Sequence, residues 1–374
     1  MLLKTQYCCS EYNKEKPFYS VKSIFQENWE DYLQTHKVKE IEREEVEKML
    51  SCKDERRGGF WYYCKNCDEY QFIPFGCNSR LCSCCGKRYN DQWASMLTER
   101  LEKNIFHRHL VFGIPDMLWK YFQEDRKLYK ILMDIAYKTI KETFSKVNHQ
   151  NIIPGVIEVY HPFGRDIKHQ PHVHMIVTEG GFNKEGKFVS SGNYIPYNAL
   201  HKNWEYNILR ELKKYLPNGI VERAYARYNN GFCVYVRKDR ISSRKGLAKY
   251  IGRYVRHPAI ANTRITAYNG EAVKFYWKDH EDKIHYKIML VHEFISSIIQ
   301  HIPEKNQKLV RYYGYYSRRK KKSIKSSINI TFNKSKVDYC QKCHCKMEFV
   351  AYSREYKPPN RNMLSSWLEM NRLS

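Results

Sequence analysis

Pro171-His-Val-His-Met-Ile-Val177 is the stretch on which the reading of the fold turns. Its apolar run, Val173 to Thr178, is strand-like. Side chains alternate across a strand, so His172 and His174 share one face while Val173 enters the sheet core. Two imidazoles on one face suit a divalent ion. Such an ion polarises a phosphate and orients a scissile oxygen. A third ligand is expected. Glu158 on a neighbouring strand, Gln170 by alternation and His257 further along are the candidates.

Outward from this run, the period of the apolar residues switches repeatedly. Gly155 to Tyr160, His109 to Pro115 and Gly231 to Val236 read as strands. Residues 116–146 and Tyr197 to Tyr215 read as helices, as do Val21 to Leu33, Val38 to Leu50, Asn90 to Leu101 and Tyr286 to Gln300. A glycine turn at Gly180-Gly181 leads into a polar loop. Strands alternating with helices predict an α/β or α+β core. The chain divides into a helical, cysteine-rich region at 1–100, a core at 101–290 with an insertion near 181–230, and a basic C-terminal region at 291–374.

A second segment belongs with the histidines. In Gly246-Leu-Ala-Lys-Tyr-Ile-Gly-Arg-Tyr-Val-Arg256, Tyr250 and Tyr254 stand four residues apart and share a helix face. With 31 tyrosines in the chain, that spacing alone also fits two packed aromatics. Beside a metal clamp it fits two nucleophiles. A tyrosine that attacks phosphorus keeps the bond energy as a 5′-phosphotyrosine and frees a 3′-hydroxyl for rejoining. Arg253 and Arg256 flank the pair and are candidate phosphate contacts.

Cys64-x2-Cys67 and Cys82-x2-Cys85 are two knuckles, each able to supply two thiolates to a closed, tetrahedral zinc site. Cys77 is an alternative ligand, and Cys52 and Cys84 make a second ion conceivable. Cys340-x2-Cys343, with His344 and Cys345, is a weaker knuckle with no distant partner pair evident. Lys87, Arg88 and Trp93 beside the first module are candidate DNA contacts, as are Arg318 and Arg319 near the C-terminus.

Composition narrows the classes. The chain has 374 residues and a formal charge of +25, which favours a polyanionic partner, most simply nucleic acid. No run approaches the 18 apolar residues of a membrane span, and Met1-Leu-Leu-Lys-Thr-Gln6 lacks an apolar signal core. Clustered cysteines without a visible signal peptide suit thiolate metal binding in a reducing cytoplasm. No Gly-x4-Gly-Lys-Ser/Thr motif is present, so a fused helicase is not expected.

These residues resemble the HUH endonuclease superfamily, and more closely the two-tyrosine rolling-circle transposases of bacterial insertion sequences. The matching blocks follow in order: Cys64/Cys67 with Cys77/Cys82/Cys85, Arg108 to Pro115, Gly164 to Gly181, Tyr250 to Ile260, and Tyr312-Tyr-Gly-Tyr315. The resemblance implies an α+β fold: a ferredoxin-like core with an antiparallel sheet and flanking helices, plus an N-terminal zinc-binding module. It implies His172 and His174 as ligands of Mg²⁺ or Mn²⁺, with Tyr250 and Tyr254 as nucleophiles. It also implies single-stranded or hairpin transposon ends as substrate, a host helicase and replication proteins as partners, and a cytoplasmic, nucleoid-associated setting in a bacterial-type host. Gln170 stands where such proteins usually carry a histidine, with His169 one place earlier, and Leu81-Cys82-Ser83 replaces His-Cys-Pro. A plasmid replication initiator or relaxase would share the chemistry. A noncatalytic zinc-dependent regulator would bind nucleic acid without a covalent adduct, and a metal-dependent hydrolase would release free 5′-phosphates.

Overall fold

The computed structural model describes residues 19–191, 197–237, 243–256, 258–279, 281–317, 339–340 and 342–353. Helices α1 (Val21–Thr35) and α2 (Glu40–Leu50) open the described chain. Ser20 caps α1, its hydroxyl accepting from the Ser23 N–H at 2.9 Å while Ser23 Oγ accepts from the Ser20 N–H. Val21, Ile24, Phe25, Trp29 and Tyr32 recur at helical spacing, and all are buried. The hairpin β1 (Gly59–Cys64) and β2 (Glu69–Pro74) precedes α3 (Ser83–Arg100).

The core follows as β3 (His107–Gly113), α4 (Asp116–Glu124), α5 (Leu128–Val147), β4 (Gly155–Phe163) and β5 (His169–Thr178). A small hairpin, β6 (Gly180–Phe182) and β7 (Phe188–Ser190), occupies part of the expected polar loop. Then come α6 (Tyr197–Leu212), α7 (Ile220–Arg227), β8 (Val234–Val236) and α8 (Arg244–Val255). The remaining elements are β9 (Ile265–Tyr268), β10 (Ala272–Lys278), β11 (Ile284–Leu290), α9 (Val291–Ile299), β12 (Val310–Gly314) and β13 (Glu348–Ser353).

The central sheet runs β12-β4-β5-β3-β8, and every neighbouring pair is antiparallel. This makes a mixed fold with an antiparallel core and resolves the α/β-or-α+β alternative. Strand alternation gives the sheet two different faces. Leu110, Phe112, Val156, Tyr160, Val173, Met175 and Val177 pack against α5 and α6. Ile157, Val159 and Ile176 face the other way, onto α3 and α8.

The helix expected over Tyr286 to Gln300 begins only at Val291. Residues before it form β11, paired with β10 from Ile284 to Leu290. The apolar residues run on without a break across the junction, which hid the change from period 2 to period 3.6. Packing also crosses the expected regional boundaries. The α1 and α2 side chains Ile24, Phe25 and Val46 share one core with Val273, Phe275, Phe294 and Ile298. Strand β13 joins the far edge of β1, with Gly59 opposite Ser353 and Tyr63 opposite Glu348. The cysteine-rich module is thus closed by two distant parts of the chain.

Two buried histidines outside the site make stability depend on pH. His107 Nε2 lies 2.7 Å from the Tyr316 hydroxyl, and His301 Nε2–H donates to the Ile167 carbonyl at 2.9 Å. Burial, above all, lowers His107 to about 4 and His301 to about 3. Their folded values lie below the unfolded one of about 6.5. Above that pH both states bind no proton at these rings. As pH falls, the unfolded chain takes up protons that the folded chain refuses, so stability drops from about pH 6.5 down to the folded values. The melting temperature should therefore fall steeply between about pH 6.5 and pH 4. His301→Gln, which keeps a donor for Ile167, should flatten that profile. An unchanged profile would contradict the assignment.

Candidate active site and metal centres

Register within the central sheet builds the histidine face. His172 on β5 lies opposite His161 on β4, and His174 lies opposite Val159. His161 Nδ1 is 3.2 Å from His172 Nε2, which is 3.1 Å from His174 Nε2. The His172 Nδ1–H donates to the Gln170 carbonyl at 2.8 Å. Its Nε2 therefore carries a lone pair aimed at the cluster. Lone pairs facing one another at this distance repel unless a cation lies between them. The spacing is close to the cis edge of an octahedral site with 2.1 Å bonds, about 3 Å. Burial lowers His172 to about 4, and holds His174 well below the usual range with help from the neighbouring imidazoles. Neutral imidazole is the ligand form.

Helix α8 lies over this face. Ser243 caps it by accepting from the Gly246 N–H at 3.1 Å, and Leu247, Ala248, Ile251 and Val255 bury its inner side. Tyr254 stacks on His174 with ring centroids 3.7 Å apart. The Tyr250 hydroxyl lies 3.4 Å from His109 Nδ1, and His109 Nε2 lies 3.0 Å from His174 Nδ1. The guanidinium carbons of Arg253 and Arg237 stand 4.8 Å and 5.3 Å from the Tyr250 ring centre. Burial, then Tyr250, raise the Tyr254 phenol above its ordinary value, so its ionisation requires local positive charge.

Cysteines converge twice. Cys52, Cys77, Cys82 and Cys85 form one buried group, and Cys64, Cys67, Cys340 and Cys343 form another. In the first, Cys52 Sγ lies 3.7 Å from both Cys82 and Cys85, and Cys77 lies 3.7 Å from Cys85. In the second, Cys64 lies 3.4 Å from Cys343, and Cys340 lies 3.8 Å from Cys67. A zinc tetrahedron with 2.3 Å bonds has edges of about 3.8 Å. Both groups fit a structural zinc site. The expected pairing of Cys64/Cys67 with Cys82/Cys85 is replaced by two separate groups. The weak knuckle at Cys340 finds its partner pair across the β1–β13 contact, a long-range contact with no signature in local spacing.

The first group is tied to α8. Cys82 occupies the N-cap position of α3 and Cys85 lies in its first turn. One turn on, the Asn90 amide donates to the Arg256 carbonyl at 2.9 Å and accepts from the Arg256 N–H at 3.0 Å. A Cβ on Gly86 would sit 2.9 Å from the same carbonyl, so only glycine permits this approach.

The other sequence candidates fall as follows. Glu158 is fully buried on the opposite face of β4, with both carboxylate oxygens unpartnered and its carboxyl pushed well up by burial. It is no part of the histidine group. Gln170 contributes its backbone carbonyl to His172, while its side chain is exposed. His169 points to the other face, 3.5 Å from the Tyr129 hydroxyl. Lys87, Arg88 and Arg253 are exposed. Arg88 reaches Cys85 Sγ at 3.6 Å, and Arg256 lies over the Tyr89 ring. His257, Arg318 and Arg319 lie outside the described residues. Sequence reading missed His161 and His109. Extending the strand beyond Tyr160 by a single residue would have put His161 on the Val159 face.

An antiparallel core with a trio of imidazoles under a two-tyrosine helix, plus two four-cysteine groups, places the chain among proteins of mixed fold with candidate metal centres. Among family models, one described as a putative transposase matches residues 155–323, and one described as a transposase zinc-binding domain matches residues 24–114. The transposase for insertion sequence element IS801 of Pseudomonas savastanoi pv. phaseolicola is 28% identical over 320 residues, spanning 80% of this chain and 76% of that one. The putative transposase y4qJ of Sinorhizobium fredii (strain NBRC 101917 / NGR234) is 26% identical over 322 residues, spanning 80% of each. No solved structure matches. The chain is a homologue of the IS91/IS801 family of rolling-circle insertion-sequence transposases. No helix among the described residues is long and apolar enough to cross a membrane.

Proposed function

We propose that this chain cleaves and rejoins single-stranded DNA at transposon ends through 5′-phosphotyrosine intermediates, on a ferredoxin-like HUH core. One observation carries the reading: the His161 and His174 nitrogens lie 3.2 Å and 3.1 Å from His172 Nε2, with Tyr254 stacked on His174 and Tyr250 reaching the same face through His109. His161, His172 and His174 would hold a divalent cation. Bound there, it supplies Lewis acidity toward a phosphate oxygen. An all-imidazole donor set with no carboxylate favours Mn²⁺ over the harder Mg²⁺.

The residues divide the remaining work. The oxygen of Tyr250 or Tyr254 attacks phosphorus, the P–O3′ bond breaks, and the phenolic proton is exchanged for one on the departing 3′ oxygen. Arg253 and Arg237 stand where a phosphate beside Tyr250 gains compensating charge. The second tyrosine repeats the step on another strand, and a 3′-hydroxyl attacking each phosphotyrosine restores the DNA without hydrolysis. The cysteine modules bind zinc and, with Lys87 and Arg88, grip the DNA beside the core. Arg256, and Arg318 and Arg319 beyond the described residues, are further DNA contacts in this reading. A host helicase unwinds the donor, in the cytoplasm at the nucleoid. The transposase relatives favour element ends over a plasmid origin.

The test uses single-stranded DNA from the flanks of the gene with Mn²⁺. A denaturation-resistant protein–DNA adduct is expected from the native protein. Tyr250→Phe and Tyr254→Phe should each reduce it, and the double variant should abolish it. An adduct that survives the double variant, or free 5′-phosphate product without any adduct, overturns the reading.

A further inference from the structure

We infer that His109 is a positioning residue that joins the metal-binding face to Tyr250, fixing both the tautomer of His174 and the orientation of the Tyr250 oxygen. This rests on the reading of the histidine face given above. His109 lies on β3, two residues from the position opposite His174, and is 1% exposed. Neither ring nitrogen faces solvent. Its Nε2 is 3.0 Å from His174 Nδ1, and its Nδ1 is 3.4 Å from the Tyr250 hydroxyl.

Proton accounting fixes the direction of each contact. His174 Nε2 belongs to the converging trio and must keep its lone pair, so its proton sits on Nδ1. That N–H donates to His109 Nε2. His109, being neutral, then carries its own proton on Nδ1, and this N–H donates to the Tyr250 oxygen. The chain has one sense only, from ligand to nucleophile. Reversing the His109 tautomer would leave two N–H groups facing each other across 3.0 Å. The Tyr250 oxygen, as acceptor, is held with a lone pair occupied by His109 and its own proton turned away from β3. As the oxygen gains negative charge, the same N–H strengthens its hold. Tyr254 lies parallel to the His109 ring at 6.2 Å between centroids, with no hydrogen bond between the two side chains among the described contacts. It stacks on His174, so the two tyrosines are inequivalent.

Two isosteres separate the two contacts. A glutamine amide reaches the Nε2 position and keeps an acceptor for His174. An asparagine amide sits at the Nδ1 position and keeps a donor for Tyr250. Mn²⁺ affinity is measured by calorimetry on the full chain, and the adduct through Tyr250 is measured in the Tyr254→Phe background. His109→Asn and His109→Ala should lose about 10–100-fold in Mn²⁺ affinity, the usual cost of removing the outer partner of a ligating histidine. His109→Gln should retain the metal yet form the Tyr250 adduct about tenfold more slowly. The residual adduct through Tyr254, read in the Tyr250→Phe background, should be insensitive to His109→Gln. Mn²⁺ affinity equal to the parent in all three variants, with thermal unfolding unchanged, would overturn the assignment. So would a Tyr250 adduct that forms at the parent rate in His109→Gln. If the parent binds Mn²⁺ but forms no adduct at all, the strand-transfer reading falls, while the affinity series still decides the His109–His174 contact.

Discussion

His161→Ala is expected to remove divalent-cation binding from the central sheet, while Glu158→Gln leaves it intact. Both residues lie on β4, three positions apart, and strand alternation sends them to opposite faces. His161 Nδ1 completes the trio at 3.2 Å from His172. Losing one of three protein ligands should cost more than the roughly 10–100-fold typical of losing an outer partner. The DNA adduct should fall by a factor on the order of 10²–10³, as when an electrostatic contributor to a transition state is removed. Glu158 is buried among the side chains under α5, with its carboxyl pushed well up by burial. Its glutamine variant keeps the shape and an acceptor oxygen while removing the titratable carboxyl. Mn²⁺ affinity within about twofold of the parent is expected. Calorimetry on the two variants decides the matter. Retained affinity in His161→Ala, with loss in Glu158→Gln, would sink the assignment of the third ligand.

Metal analysis should return two zinc ions per chain, and each should be removable alone. Cys340→Ser with Cys343→Ser should drop the count to one and free β13 from β1. Cys52→Ser should also drop it to one, with a different consequence. The Cys52 group anchors the start of α3, and Asn90 and Gly86 on α3 hold the end of the tyrosine helix at Arg256. Losing that zinc should therefore loosen α8 and suppress the adduct, although no ligand touches the histidine face. Thiolate sites carry folding free energy on the order of 10 kcal/mol, so the melting temperature should fall by many degrees. A single zinc shared by Cys64, Cys67, Cys82 and Cys85 makes the opposite forecast: the Cys340/Cys343 double variant would leave zinc content unchanged.

Much of the site was legible because it is local. His172 and His174 sit two apart on a strand, Tyr250 and Tyr254 sit four apart on a helix, and both spacings are set by backbone period alone. The cysteine knuckles were legible as pairs for the same reason. Local spacing does not say which pair meets which. Cys64 and Cys343 are neighbours only because β13 crosses back to β1, 279 positions along the chain. His161 and His109 were hidden for a related reason. His161 stands alone at the end of an apolar run, His109 is paired in sequence with His107, which turns to Tyr316, and only antiparallel register brings His161 and His109 to His172 and His174. Residue by residue, the sequence determined most helices and four of the five central strands, β3, β4, β5 and β8, together with the two-histidine face, the two-tyrosine helix and the cationic character that calls for a polyanion. Tertiary structure alone decided the third imidazole, the partition of eight cysteines into two groups, and the link from α3 to α8, because contacts between distant segments follow from how strands register and helices cross.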